Sequence, residues 1–114
     1  MQYMLLIHSG DAMARWDTLG EDEQKAIMGE YMAISQSPQV RGGEQLQPAE
    51  TATTVRVEDD RTLTTDGPFA DTKEALGGYF LLDAEDLDAA VEMASRIPAA
   101  RMGGAVEVRP VVER

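Results

Sequence analysis

Residues 66–74, which read DGPFADTKE, place three carboxylates and one ammonium group within nine residues, directly before an apolar run. The first three, Asp66, Gly67 and Pro68, favour a tight turn, because aspartate accepts hydrogen bonds from nearby amides, glycine tolerates a positive φ and proline fixes its own φ. An aspartate that a turn holds against apolar surface is easier to protonate and can act as a general base. A purely structural turn after a hairpin is the alternative interpretation.

The single histidine, His8, is the second candidate acid–base group. It ends the first apolar run of the chain, and loops at the ends of strands are favoured places for functional side chains. We therefore predict Asp66 and His8 as a catalytic pair, which requires that the two side chains reach each other or one shared ligand. A histidine with only structural or surface contacts is the alternative.

Two charged residues on predicted strands are further candidates for ligand binding. Glu44 lies between two glycines and a glutamine, and Arg109 alternates with valines so that it faces away from the predicted helices. Both would approach a cavity on the uncovered sheet face. A charge in such a place needs a partner, so a Glu44–Arg109 or Glu107–Arg109 pair with a purely structural role is the alternative.

Three residues that follow the turn, Phe69, Lys73 and Glu74, complete the predicted ligand contacts. Lys73 and Glu74 are adjacent, so on a helix they would point roughly 100° apart and need not pair with each other. Lys73 could neutralise Asp66 or Asp71, or bind an anionic ligand. A solvated ion pair is the alternative for Lys73, and a place in the core is the alternative for Phe69.

The strands that must position these residues are visible in the hydrophobic pattern. Two runs, residues 3–7 and 76–82, are apolar without alternation, which predicts central strands covered on both faces. Alternating residues at 53–57 and 61–65 flank a polar turn and predict a β-hairpin with one solvated face. A weak strand, loosened by its glycines, is predicted at 40–46, and an alternating strand is predicted at 105–109.

Two helices are predicted between these strands. The first spans about 19–35, with Thr18 as the N-cap of a capping box, and the second spans about 84–97, with Asp83 as its N-cap. Residues 11–17 are predicted as a loop. The apolar stripes consist of Ile27, Met28, Tyr31 and Ile34 in the first helix, and of Leu87, Ala90, Val91, Ala94 and Ile97 in the second.

The order strand, helix, strand, hairpin, strand, helix, strand predicts a single domain over residues 1–114. It is a split βαβ repeat with an extra hairpin, the α+β ferredoxin-like plan. Right-handed crossovers would place both helices on one face of the sheet. The central strands would then leave an apolar patch on the other face. A second copy packed sheet to sheet would cover this patch, so we predict a homodimer.

Composition restricts the partners of the chain. It has 21 acidic and 10 basic residues among 114, a formal net charge of −11. Such a charge repels phosphate backbones and anionic membranes, so we predict neither direct nucleic-acid binding nor membrane binding. Without cysteine there are no disulfides or thiol nucleophiles, and one histidine excludes a multi-histidine metal site within one chain. We expect a cytoplasmic protein with no metal site and no cofactor.

Residues 66–74 closely resemble the DGPF motif that marks one branch of the YCII-related family. This resemblance implies a ferredoxin-like domain that pairs into a dimeric α/β barrel. Some members are encoded beside extracytoplasmic-function sigma factors, and smaller relatives carry a His/Asp pair in a pocket. The supporting motifs follow one another along nearly the whole chain, at residues 3–6, 42–48, 51–56, 76–79, 97–100 and 106–110.

Three functions follow as hypotheses. The first is a dimeric small-molecule-binding domain whose pocket, at the interface of two sheets, is lined by His8, Glu44, Asp66 and Arg109. The second is an enzyme that uses Asp66 and His8 as an acid–base pair. The third is a regulatory module linked to an extracytoplasmic-function sigma factor, whose acidic surface suits a protein partner rather than DNA. Whether catalysis occurs stays open at this point.

Overall fold

The computed structural model describes residues 1–68 and 75–114 of the chain. Its strands are β1 (Gln2–His8), β2 (Val40–Gln45), β3 (Thr53–Glu58), β4 (Arg61–Asp66), β5 (Leu76–Asp83) and β6 (Ala105–Pro110). Its helices are α1 (Ala12–Asp17), α2 (Glu21–Ser35) and α3 (Leu87–Ser95), with short 3-10 turns at Ala49–Thr51 and Pro98–Arg101. No helix within these two described ranges is long and apolar enough to cross a bilayer.

Four strands form one antiparallel sheet in the order β2-β5-β1-β6, and β3 and β4 form a separate two-stranded sheet. The two runs that are apolar on both faces, β1 and β5, therefore lie at the centre of the main sheet, as predicted. The architecture is α+β, and its strand order is compatible with the ferredoxin-like plan. The β3–β4 sheet is the predicted extra hairpin.

The hydrophobic core lies between the helices and one face of the main sheet. Tyr3, Leu5 and Ile7 alternate along β1 and are at most 9% exposed, and Leu82 of β5 is 1% exposed. Each such side chain contributes about 1.5–3 kcal/mol through burial. The helical side of the core consists of Ile34 from α2, Ala90, Met93 and Ala94 from α3, and Ile97 and Ala99 beyond it.

The predicted loop at residues 11–17 is wrong, because residues 12–17 form α1. Alanine, methionine and arginine are good helix formers, but six residues are too few to display a helical period. The Ala12 N–H donates to the Ser9 carbonyl at 2.8 Å, which starts the helix directly after β1. Trp16 is half-buried in this segment.

Both predicted helix N-caps are wrong as well. The Thr18 hydroxyl donates to the Arg15 carbonyl at the end of α1, and Gly20 is the N-cap of α2 without a side-chain bond. Asp83 still belongs to β5. The N-cap of α3 is Asp86, whose carboxylate accepts a hydrogen bond from the Ala89 N–H at 2.9 Å.

Some predicted core positions are exposed instead. Leu87 and Val91 are 52% and 49% exposed, because α3 turns Ala90, Met93 and Ala94 towards the sheet. The hairpin also differs from its prediction, since every residue of β4 is exposed rather than only one face. Among the described residues, the hairpin therefore has no buried core of its own.

Candidate functional site

The sheet face opposite the helices has an apolar centre that its own chain leaves half-buried. Met4 and Leu6 of β1 lie on this face, and the register places Leu81 opposite Met4 and Tyr79 opposite Leu6. All four side chains have intermediate exposure, whereas Leu5 between them, on the helix side, is 0% exposed. These four residues, Met4, Leu6, Tyr79 and Leu81, are termed the open-face patch.

Charged residues on the two edge strands border the open-face patch. β2 places Glu44 at one edge, directly opposite Tyr79, and β6 places Glu107 and Arg109 at the other edge. Neighbouring strands lie about 4.8 Å apart, so Glu44 and Arg109 are separated by about 14 Å of sheet within one chain. The two predicted ligand contacts therefore flank the patch and do not touch each other.

His8 contacts Glu107 at the border between β1 and β6. Nε2 of His8 lies 3.3 Å from Oε1 of Glu107, and the two side chains are 23% and 52% exposed. The register explains this contact, because Glu107 is opposite Leu6 and His8 follows two residues later on the same face. Diagonal neighbours of this kind are within reach of long side chains. A carboxylate in this position orients the imidazole and selects which ring nitrogen carries the proton.

The residue pattern did not predict the contact between His8 and Glu107. It offered Arg109 as the partner of Glu107, but within residues 1–68 and 75–114 the ion-pair partner of Glu107 is His8. Alternation along β6 does place Glu107 on the face away from the helices. Its partner, however, depends on the register between β1 and β6, which alternation alone does not fix.

Two glycines of β5 allow the neighbouring strands to approach closely around this site. A Cβ atom on Gly77 would lie 2.3 Å from Oγ of Ser9, which directly follows His8. A Cβ atom on Gly78 would lie 2.9 Å from the carbonyl oxygen of Glu44. The Gly77–Gly78 pair therefore allows β1 and β2 to pack closely against β5, and this packing positions His8 and Glu44.

Asp66 lies at the base of the hairpin, outside the main sheet. The following Gly67 has a φ of +103°, and its N–H donates to the Ala52 carbonyl at 2.7 Å. The Thr54 hydroxyl donates to the Gly67 carbonyl at 2.9 Å. These two hydrogen bonds connect the end of β4 with the start of β3 at the base of the hairpin. Among the described residues no hydrogen bond connects Asp66 with His8, so their catalytic pairing stays a prediction.

The other predicted ligand contacts, Phe69, Lys73 and Glu74, lie outside the described residues. Within the part of the chain that the structure does describe, no three histidine, aspartate or glutamate side chains come close enough together to hold a metal ion. The side chains of His8, Glu44, Glu107 and Arg109 beside the open-face patch can donate or accept hydrogen bonds.

Two surface grooves lie beside the helices, away from the predicted site residues. They have volumes of about 550 and 570 Å³ and share Met93 and Arg96. Arg96 pairs with Glu92 along α3. In the first groove, Asp83 accepts a hydrogen bond from Arg41 at 3.3 Å. This bond, together with the amino group of Met1, lowers the pKa of the Asp83 carboxyl below its usual value. Apart from Glu85, the charged side chains that line these grooves thus have ion-pair partners among the described residues.

Comparisons with known proteins give two matches. The family model described as "YCII-related domain" matches residues 1–114. An uncharacterized protein of Rhizobium meliloti (strain 1021) is 33% identical over 117 residues, which cover 97% of this chain and 92% of that protein. Neither match concerns a sigma factor, so the regulatory hypothesis stays a prediction.

Proposed function

The chain belongs to the family of YCII-related domains, and from this premise we propose that it is a small-molecule-binding domain that works as a homodimer. Two copies would pack sheet to sheet through their open-face patches and form a dimeric α/β barrel. The pocket would lie at the seam between the two sheets. The observation that carries this proposal is the half-buried apolar centre of the uncovered sheet face.

The surface of the chain supports an association of this kind. Its accessible area is 8144 Å², whereas a compact monomer of this mass exposes about 6,100 Å². Its radius of gyration is 15.9 Å, against about 13 Å for a compact domain of this length. A single chain thus exposes much more surface than its size requires, and association would remove part of that surface from water.

The residues around the open-face patch indicate what the pocket would bind. An isologous dimer presents each residue twice, so His8, Glu44, Glu107 and Arg109 would occur on both sides of the seam. Apolar walls with a few polar groups are typical of small-molecule sites. The ligand that fits is a small organic molecule with an apolar part and at least one hydrogen-bonding or ionic group. Phe69, Lys73 and Glu74 remain proposed ligand contacts because they follow the turn at Asp66 in the sequence.

Light scattering on a size-exclusion column tests the assembly. At micromolar concentration we expect about twice the chain mass of 12.4 kDa. Leu81→Asp places a carboxylate in the open-face patch and should give monomers. Val91→Asp is the matched control, because Val91 is 49% exposed on α3 and lies outside the patch. A wild-type monomer with a folded circular-dichroism spectrum would overturn the proposal.

A metabolite screen by thermal shift tests the pocket. Compounds that bind the wild-type dimer should raise its melting temperature, and they should lose this effect with Arg109→Ala or Glu44→Ala. Lys25→Ala is a control on the exposed surface of α2. A crystal structure in which side chains fill the seam completely would rule out a pocket there.

The contact between His8 and Glu107 favours an enzyme as the second candidate. A histidine oriented by a carboxylate is a common general acid or base. Asp66 is the proposed second acid–base group, and the pairing needs both groups at one ligand. Compounds from the thermal-shift screen should be tested for conversion by the wild type, His8→Gln and Asp66→Asn. Turnover that survives in both variants would rule out this pair while leaving the binding function intact.

A further inference from the structure

The hairpin formed by β3 and β4 stands apart from the rest of the chain. It forms its own two-stranded sheet, and the β3–β4 contact is the only extensive contact of either strand among the described residues. A two-stranded hairpin alone in water is marginally stable at best. We refer to residues 53–66 as the arm. The described residues of its own chain therefore give the arm little surface to pack against.

The two faces of the arm differ in chemistry. Val55 and Val57 lie on one face, opposite Thr64 and Thr62 in the register. The valines are 59% and 67% exposed, and the one charged residue among the paired positions of this face is Asp66, at the base of the hairpin. The other face carries Arg56, Glu58 and Arg61 together with Leu63. β-branched residues suit a surface that packs against another surface, whereas charged residues suit solvent. The valine face is therefore the one built for contact.

The exposed surface of the chain indicates what the arm packs against. Stable protein interfaces bury about 800 Å² of accessible surface per partner. The chain exposes 8144 Å², about 2,000 Å² more than a compact monomer of its mass, so it has enough surplus surface for an interface of this size.

The arm is part of this surplus surface, because Val55 and Val57 are both more than half exposed. In a symmetric dimer each copy contributes its own arm and also receives the partner's arm. The long axis of the chain, 49 Å against a thickness of 19 Å, is consistent with an element that extends beyond its own domain.

We propose that the arm docks through its valine face on a second copy of this chain, beyond the edge of the sheet-to-sheet seam. This inference rests on the homodimer of the proposed function and adds a second contact to it. The partner would thereby supply the packing that the described residues of the arm's own chain do not. The dissociation constant of the dimer would depend on Val55 and Val57 as well as on the open-face patch.

Sedimentation equilibrium on the full chain tests this proposal. Val57→Glu should raise the dimer dissociation constant at least tenfold. Leu63→Glu makes the same chemical change on the opposite face of the same hairpin, so it should leave the constant within about twofold. Both residues are largely exposed in the single chain, and circular dichroism should show that both variants keep the wild-type fold.

The outcomes separate the arm from the dimer itself. An unchanged dissociation constant in both Val57→Glu and Val55→Glu would overturn the docking of the arm and leave the sheet-to-sheet dimer standing. Equal weakening by Val57→Glu and Leu63→Glu would overturn the assignment of the valine face. A wild-type monomer would overturn both the arm proposal and the proposed function. Weakening by the valine variants alone would support the arm.

Discussion

Nε2 of His8 lies 3.3 Å from Oε1 of Glu107, so the central strand β1 and the edge strand β6 are joined by a side-chain contact beside the open-face patch. Both side chains are partly exposed in the single chain. Ion pairs of this kind contribute little to folding, typically about 0.2–1 kcal/mol. The effect of the contact is therefore to fix the imidazole ring rather than to hold the sheet together.

A double-mutant cycle with His8→Gln and Glu107→Gln measures this contact. In a monomeric Leu81→Asp background we expect a coupling free energy of about 0.2–1 kcal/mol in urea unfolding. In the wild-type background at one fixed protein concentration the coupling should be larger, because the seam would exclude water from the pair. Equal couplings in the two backgrounds would show that the contact is not covered by a partner.

Leu5 and Leu6 are adjacent in β1 but face opposite sides of the sheet. Leu5→Ala should lower the free energy of unfolding by about 2–5 kcal/mol, because it empties a fully buried core position. Leu6→Ala should lower the stability of the single chain by roughly 1 kcal/mol, because its side chain is only half-buried. Its main effect should be a raised dimer dissociation constant in a dilution series. Similar losses of chain stability in both variants would contradict the assignment of the two faces.

Gly29 and Gly10 should respond oppositely to alanine. A Cβ atom on Gly29, within α2, meets nothing within 4 Å, so Gly29→Ala should raise the free energy of unfolding by about 0.5–1 kcal/mol. Gly10 has a φ of +51°, and its Cβ would lie 2.3 Å from the carbonyl oxygen of Gly103. Gly10→Ala should therefore lower the free energy of unfolding by about 1–3 kcal/mol. Urea titration measures both; destabilisation by Gly29→Ala would mean that this face of α2 is covered.

Asp83 should make stability depend on pH at the acidic end. The hydrogen bond from Arg41 lowers the pKa of the Asp83 carboxyl in the folded chain. Its stabilisation is therefore present above the unfolded-state pKa of about 3.9 and is lost as the pH falls through the folded-state pKa. Asp83→Asn should unfold at a lower urea concentration than the wild type at pH 7, and the difference should shrink as the pH falls through the folded-state pKa of Asp83.

Glu85→Gln is the control for this pH effect, because Glu85 is an exposed neighbouring acid without an ion pair among the described residues. It should leave the urea midpoint at pH 7 close to that of the wild type. A difference between Asp83→Asn and the wild type that does not shrink as the pH is lowered would show that the charge of Asp83 is not the cause.

The strands of the main sheet could be predicted from the sequence because their pattern is set by burial. A run such as residues 3–7 is apolar on both faces only if both faces are covered, which places it at the centre of a sheet. Alternation at residues 105–109 likewise predicted a strand with Glu107 and Arg109 on one face, and the register confirms these two faces.

Helix starts were less predictable, because the residues that can cap a helix are common near its true start. Asp83 and Asp86 are both suitable N-caps, and the choice depends on where β5 ends. The Asp83 N–H donates to the Gln39 carbonyl at 2.8 Å, which keeps this residue in the sheet region and moves the cap to Asp86. Such a bond joins distant parts of the chain, so local pattern cannot reveal it.

The sequence by itself determined the family, the α+β class, the central strands and the apolar character of the uncovered face, because each depends on residue types and their spacing along the chain. Only the tertiary structure decided that His8 contacts Glu107, that Glu44 and Arg109 lie at opposite edges, and that the hairpin stands apart. These facts depend on strand order and register. Backbone hydrogen bonds are alike for any residue type, so they do not select one strand register. The register is set by the packing of the whole core rather than by the individual residues that it places opposite each other.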